Sequence, residues 1–142
     1  MLIIENKTHW LAEAARLNQN CKTVFTEQRV LTLRELLREV NQAASYLISA
    51  GIEKGNNIGI LYRHNYHFTV IVNALWFIGA VPVPLNTRLT DTELLFQVQQ
   101  AGINHLVVDE YFSNTLAGLD NPVKTVFPGE SKNELPVSDR IQ

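Results

Sequence analysis

The central part of the chain alternates short apolar runs with longer segments of helical periodicity, and this alternation constrains the fold most strongly. Ile58–Tyr62, Val81–Pro84 and His105–Asp109 are compact and apolar, as strands buried on both faces are. Between these strands, segment 66–78 is apolar nearly all round, which predicts a buried helix, and segment 91–101 carries apolar residues at helical spacing. Strands separated by single helices are joined by right-handed crossovers. We therefore predict an α/β fold with a mainly parallel sheet flanked by helices.

A short helix and a small hairpin are predicted ahead of this alternating core. Trp10–Leu17 carries apolar residues four positions apart, and Thr8 is expected to cap the helix. Residues 23–31 then form two short apolar stretches around the polar segment Glu27–Arg29. This arrangement predicts an antiparallel hairpin, although the turn lacks the favoured Asn-Gly pair.

Two capping boxes mark where the longer helices begin. Thr32 and Glu35 have the spacing at which each side chain reaches the other residue's backbone N–H. The apolar stripe that follows stops at Gly51, which is expected to end the helix in a left-handed conformation. Thr90 and Glu93 repeat the pattern ahead of the last clear helix.

Prolines and composition set the limits of the folded unit. Pro82 and Pro84 lack a backbone N–H, so the short extended segment that contains them is predicted at an edge of the sheet or at the end of a strand.

After Phe127 the sequence turns polar and offers few apolar groups to offset the entropy of ordering. We assign residues 1–127 to one α/β subdomain and residues 128–142 to a polar tail or linker.

Charge and cysteine content argue against several classes of protein. The formal net charge is -2 and no block of like charge occurs, so no nucleic-acid partner is expected. The single cysteine, Cys21, cannot form an internal disulfide, which favours a cytoplasmic location. No secretory signal is visible at the N-terminus. The most apolar stretch, Phe68–Val83, is interrupted by polar and turn residues, so no membrane span is predicted.

Loops that bind phosphate are missing from the sequence. The seven glycines are isolated, and neither G-x-G-x-x-G nor G-x-x-x-x-G-K-[ST] occurs. No stretch is dense enough in Ser, Thr, Gly and Lys to surround a triphosphate with backbone N–H groups. We therefore expect the chain to hold no nucleotide cofactor.

Two histidines are weak candidates for contact with a ligand. His64 and His67 lie three residues apart where a strand meets a helix, at the sheet edge where α/β proteins bind ligands. A metal site would need a third ligand, and none is close in sequence. We favour a plain polar junction. Asp109–Glu110 also ends a strand, but a phospho-acceptor pocket would need acidic residues after the first strand, which Tyr62–Asn65 does not supply.

Several motifs resemble the AMP-forming, adenylate-forming enzymes, which include the acyl-CoA synthetases. Leu31–Leu36 resembles the first core motif of that family, with Leu33 in place of the usual aromatic residue. Gly51–Ile58 resembles its G-(V/I)-x-x-G-D-x-V turn, with Asn56 where Asp is usual. The most specific stretch, Gly79–Leu89, is similar to the second core motif G-A-x-x-x-P-L-N-x-R-L. The resemblance extends over most of the chain, from about Trp10 to Asp109.

This resemblance implies the amino-terminal part of an acid–CoA ligase. Within the family the sequence is most similar to o-succinylbenzoate–CoA ligases of menaquinone synthesis, with fatty acids as the alternative substrate. Such enzymes join a carboxylate to AMP and then to coenzyme A, so ATP, Mg²⁺ and coenzyme A are implied for the full-length enzyme. The family's phosphate loop, its ribose-binding acidic residue and its C-terminal lysine have no counterpart here. No catalytic, cofactor-binding or metal-binding residue is therefore carried over, and we expect this chain alone to be inactive.

Only scaffold positions transfer from the family pattern. Asn86 and Arg88 match the second core motif and are expected to order a loop near the sheet edge. They join His64 and His67 as weak candidates for substrate binding, although we favour a loop held by local hydrogen bonds.

Two interpretations remain open for the chain as a whole. As a ligase fragment, it should pack through an exposed apolar face against the remainder of the enzyme or against a second copy of itself. As a free-standing, non-catalytic binding module on the same scaffold, it should have a polar surface.

Overall fold

The computed structural model describes residues 9–63, 66–112, 114 and 124–126. It confirms the predicted α/β fold with a parallel sheet. The elements follow one another as α1 (Trp10–Leu17), β1 (Lys22–Phe25), β2 (Val30–Thr32), α2 (Leu33–Ser49), β3 (Asn57–Leu61), α3 (Tyr66–Ile78), β4 (Val81–Pro84), α4 (Asp91–Gln100), β5 (His105–Val108) and β6 (Lys124–Val126), with a 3-10 turn at Glu110–Phe112. The predicted polar tail, residues 128–142, lies outside the described residues.

The described strands form a parallel sheet and a separate hairpin. The sheet has four strands in the order β4-β3-β5-β6, and every neighbouring pair in it is parallel. The predicted hairpin is the antiparallel pair β1-β2. As its prolines predicted, β4 lies at an edge of the described sheet. None of the described helices is both long and apolar enough to cross a membrane.

Strand β3 is buried on both faces because its side chains alternate between two cores. Ile58 and Ile60 belong to a core formed with α1, α2 and α3. Leu61 belongs to a second, smaller core with Leu94 and Val98 of α4. Period-two alternation therefore places three helices on one face of the sheet and one on the other.

Both predicted capping boxes are present at the starts of α2 and α4. The Thr32 hydroxyl accepts from the Glu35 N–H at 3.2 Å, and the Glu35 carboxylate accepts from the Thr32 N–H at 3.2 Å. Thr90 and Glu93 make the same reciprocal pair at 3.3 and 2.8 Å. Helix α2 ends before Gly51, whose φ of 98° lies in the left-handed region that favours glycine.

The residue that caps α1 is His9, so the expectation for Thr8 was wrong. The His9 Nδ1 accepts from the Leu11 N–H at 3.2 Å, and its ring lies 4.0 Å from the ring of Phe77. Burial lowers the pKa of His9, which favours the neutral imidazole that can accept this hydrogen bond. Local cap preference favoured Thr8, whereas packing against α3 selects the aromatic side chain that follows it.

Helix α1 is also fixed to α3 by a polar contact. The Trp10 indole N–H donates to the buried Asn73 side chain at 2.9 Å, and the Asn73 amide donates to the Thr69 carbonyl at 2.9 Å. The otherwise costly burial of Asn73 is thereby compensated on both ends of its amide. This contact leaves Trp10 half-exposed on the outer surface.

A close approach at the middle of β3 makes Gly59 sensitive to substitution. A Cβ there would lie 2.7 Å from Leu106 Cδ2 and 3.2 Å from Leu85 Cδ1. Gly59→Ala should therefore lower the free energy of unfolding by about 1–3 kcal/mol, as overpacking does in a close-packed core. Urea denaturation followed by circular dichroism measures the change.

The matched background for this substitution is Leu106→Val, which removes the Cδ2 atom closest to the added methyl group. Because the two sites are in contact, Gly59→Ala should cost less in that background than in the wild type. An equal cost in both backgrounds would show that the Leu106 contact does not limit the space at Gly59.

Candidate functional site at the carboxyl edge of the sheet

The carboxyl ends of β4, β3 and β5 meet at one edge of the sheet because the three strands are parallel neighbours. Asn86 follows β4, Arg63 follows β3 and Asp109 follows β5. Ligands of open α/β sheets bind outside the carboxyl ends of the strands. The residues at this edge therefore form the candidate functional site.

Arg63 and Asp109 form an ion pair across the ends of β3 and β5. Arg63 Nε lies 2.9 Å from Asp109 Oδ2, and a terminal guanidinium nitrogen lies 3.2 Å from Oδ1. The Arg63 backbone N–H also donates to Oδ2, at 3.3 Å, and the Tyr111 N–H donates to Oδ1, at 3.1 Å. This two-point pairing fixes the guanidinium plane against the strand ends.

The environment of Asp109 stabilises its charged form. Burial alone would raise the pKa of this carboxyl, but hydrogen bonds from the Arg63 side chain and from the backbone of Tyr111 and Arg63 outweigh it and lower the pKa below its ordinary value. The neighbouring Tyr62 shows the opposite balance. Burial, and next the Asp109 charge, raise the pKa of its phenol, so Tyr62 stays neutral.

The outer side of the Arg63 guanidinium faces an aromatic ring. Its central carbon lies 4.9 Å from the centroid of the Tyr111 ring, a cation–π distance. Tyr111 is exposed, and the Arg63 side chain is 55% exposed. The edge therefore presents a rigid, partly neutralised cation beside an exposed aromatic ring.

The two family-motif candidates, Asn86 and Arg88, lie in the loop after β4. The Asn86 side-chain oxygen accepts from the Arg88 N–H at 2.9 Å, and the Asn86 carbonyl accepts from the Leu89 N–H at 3.4 Å. Both side chains are exposed. The geometry of Asn86 matches the favoured interpretation of a loop held by local hydrogen bonds. Substrate binding by either residue stays a prediction.

His67 lies apart from that loop, at the start of α3. It is half-buried, with its ring 4.1 Å from the ring of Tyr66. Burial lowers the pKa of His67, while the charges of Glu39 and Asp109 act in the opposite direction. The other histidine of the predicted pair, His64, lies outside the described residues.

A groove of about 620 Å³ separates the hairpin from the start of α3, and His67 lines it. Phe25 and Glu27 of the hairpin form one wall, and Tyr66 and Thr69 form the other. Arg29 ties the two walls together, because it donates to the Tyr66 hydroxyl at 3.0 Å and pairs with Glu39 at 3.0 Å. His67 therefore faces the hairpin, while Asn86 and Arg88 lie in the loop after β4.

The Arg63–Asp109 pair at the carboxyl edge does not fit ATP and Mg²⁺. Mg²⁺ in nucleotide sites is usually bound through one or two carboxylates together with phosphate oxygens and waters, so a carboxylate ligand needs a free lone pair. Asp109 is the buried carboxylate of the described residues, and both of its oxygens already accept hydrogen bonds from Arg63 and Tyr111. Arg63 is likewise directed onto Asp109. Among the described residues, the Arg63–Asp109 pair is therefore closed and offers no free carboxylate oxygen or cation to a metal-bound triphosphate.

The Arg63–Asp109 pair is not among the predicted site residues, and Asp109 enters the sequence-based predictions only as part of an acidic pocket. A usable signal was present. Each residue directly follows an apolar run, and neighbouring parallel strands bring their carboxyl ends together. A basic residue after one strand and an acidic residue after the next therefore favour an ion pair across the sheet.

The chain is similar in sequence to the members of one protein family. The sequence pattern of the family described as AMP-binding enzyme matches residues 11–138. A 2-succinylbenzoate–CoA ligase of Bacillus cereus is 32% identical over 110 residues, which are 78% of this chain and 23% of that protein. The chain therefore spans about a quarter of the length of the curated relatives that it matches.

Solved structures show the same fold in the amino-terminal part of such enzymes. o-Succinylbenzoate coenzyme A synthetase from Bacillus subtilis, in complex with ATP and a magnesium ion, superposes with a TM-score of 0.77 at 27% identity. The match covers 82% of this chain and 32% of that one. A fatty acyl CoA synthetase of Mycobacterium tuberculosis shares the fold alone, at 23% identity and a TM-score of 0.75, over 81% of this chain and 24% of that one.

The Arg63–Asp109 pair predicts an acid-sensitive contribution to stability. The pKa of Asp109 is lower in the folded state than its unfolded value of about 3.9, so its contribution is present above pH 4 and is lost as the pH falls through the folded value. Asp109→Asn should lower the free energy of unfolding at pH 7 by about 1–3 kcal/mol, because Arg63 loses a buried, charged acceptor. As the pH falls, the free energy of unfolding of the variant should also decrease less than that of the wild type.

Urea denaturation between neutral and acidic pH measures both effects. Glu53→Gln removes an exposed carboxylate in a turn and serves as the control, with wild-type stability expected at pH 7. If Asp109→Asn matched the wild type at neutral pH and lost stability in acid just as steeply, the pair would not contribute to stability.

Proposed function

The chain belongs to the AMP-binding enzyme family, and from this membership we propose that it is the amino-terminal part of an ATP-dependent acid–CoA ligase that acts on o-succinylbenzoate. The observation that carries the proposal is the 32% identity to a 2-succinylbenzoate–CoA ligase, together with the 27% identity to a solved synthetase for the same acid. The proposed reaction belongs to the complete enzyme, since the chain spans 23% of the relative's length.

The proposed reaction has two steps. A carboxylate oxygen of the acid attacks the α-phosphorus of ATP, which forms the acyl-adenylate and releases pyrophosphate. The thiol sulfur of coenzyme A then attacks the acyl carbon, which forms the thioester and releases AMP. Phosphoryl chemistry of this kind needs Mg²⁺ and fixed donors around the phosphates. In the proposal, residues outside this chain supply those donors.

The proposed role of this chain is to supply the parallel sheet and its helices as a scaffold. Residues 1–127 would form the subdomain and residues 128–142 a tail or linker. Asn86 and Arg88 would order the loop after β4, and they stay candidates for substrate contact together with His64 and His67. The closed Arg63–Asp109 pair supports a scaffold role, because both oxygens of Asp109 are already occupied by hydrogen bonds from Arg63 and Tyr111.

The proposed partner of the chain is the remainder of the ligase. Trp10 and Trp76 are 49% and 47% exposed, and large exposed aromatic side chains suit a surface that another part of the enzyme covers. A free-standing module with a polar surface would not be expected to present them. A cytoplasmic location belongs to the same proposal, because an exposed lone thiol such as Cys21 stays reduced there.

Activity of the complete reading frame tests the proposal. The polypeptide encoded by the whole frame that contains these 142 residues is purified and assayed for pyrophosphate release with ATP, Mg²⁺ and o-succinylbenzoate. Addition of coenzyme A should yield the thioester, detected by mass spectrometry. The 142-residue chain, assayed in parallel, should release no pyrophosphate and should show no heat of ATP binding by calorimetry.

Each alternative gives a different result in this assay. Activation of fatty acids but not of o-succinylbenzoate would refute o-succinylbenzoate as the substrate, whereas the proposed acid–CoA ligase reaction would stand. Turnover of ATP by the 142-residue chain alone would refute the scaffold role. A reading frame that stops at Gln142 would instead support a free-standing module.

A further inference from the structure

Strand β4 bonds to β3 through every second residue. The Val81 N–H donates to the Asn56 carbonyl at 2.8 Å, and the Leu85 N–H donates to the Ile60 carbonyl at 2.9 Å. Val83 lies opposite Gly59 in the same ladder, in phase with those two residues. Because successive residues of a strand direct their backbone groups to opposite sides, the residues in between direct theirs away from β3.

The residues in between are both prolines. Pro82 and Pro84 have backbone carbonyls but no N–H, so the outer side of β4 presents acceptors without donors. A further strand needs both donors and acceptors from the strand that it joins. We infer that Pro82 and Pro84 close the β4 edge against strand pairing with a second copy of this chain.

The surroundings of β4 show why such closure matters. Val81 is 47% exposed, and the strand is short, apolar and in its described surroundings uncovered by another strand. Exposed edges of this kind are templates for pairing between copies of a protein. The apolar side chains of β4 would favour association between copies of the chain, whereas the missing N–H groups oppose strand pairing. The inference does not depend on the proposed function.

Restoring the two N–H groups tests the inference. In the Pro82→Thr/Pro84→Thr variant, both residues keep a preference for extended structure and regain a donor on the outer side. Each restored N–H can donate to a carbonyl of a second copy, so self-association should strengthen by about tenfold or more. Sedimentation velocity over a range of concentrations measures the dissociation constant.

The matched control is Val81→Thr, which introduces the same residue at the same edge. The Val81 N–H already bonds to Asn56, so this substitution adds no outward donor. It should sediment as the wild type does. Association that strengthens equally in Val81→Thr and in the double variant would assign the effect to side chains and overturn the inference.

If the double variant folds poorly, two further measurements test whether the prolines prevent strand pairing at β4. The single variant Pro84→Thr restores one outward donor and should show a smaller increase in association, whereas no increase in a folded single variant would count against the inference. In the wild-type chain, the backbone resonances of Val81–Leu85 should not change with concentration. Concentration-dependent shifts confined to that strand would mean that the edge pairs despite its prolines.

Discussion

Burial of β3 on both faces is the constraint on which the rest of the structure depends. Ile58 and Ile60 pack under α2 and α3, while Leu61 packs under α4, so the strand has no face left for water. Helices cover both of its faces, as in parallel sheets, and the single helices between successive strands join parallel strands by crossovers. Parallel neighbours then collect their carboxyl ends at one edge. The meeting of Arg63 with Asp109 is thus a consequence of the packing around β3.

Local chemistry explains which parts of the fold were predictable from sequence. The capping boxes at Thr32 and Thr90 depend on residues three positions apart, and Pro82 and Pro84 exclude a central strand by lacking an N–H. The cap of α1 was not predictable in this way. His9 is selected by a ring contact with Phe77, 68 positions away in the chain, and preferences for single cap residues carry no information about such a partner.

The same distinction between local and long-range contacts applies to the candidate site. Asn86 and Arg88 belong to the family motif, and in the structure the Asn86 side chain makes a local hydrogen bond, because it accepts from the Arg88 N–H. A motif can therefore mark a loop that must take one shape without marking a residue that touches a ligand. Arg63 and Asp109, which no motif contains, form the more elaborate arrangement because it arises between strands. Prediction of such a pair needs the order of the strands as well as their sequences.

The proposed scaffold role places two opposing demands on the surface of the chain. Trp10 and Trp76 remain half-exposed, and apolar contact is non-directional, so those side chains can be covered by any complementary surface. Backbone pairing at a sheet edge is directional and requires donors and acceptors in register. Closing the β4 edge with Pro82 and Pro84 removes only the second kind of contact. If the chain belongs to a ligase as proposed, it can thereby keep an apolar surface for the remainder of that enzyme while its own copies are prevented from extending the sheet at β4.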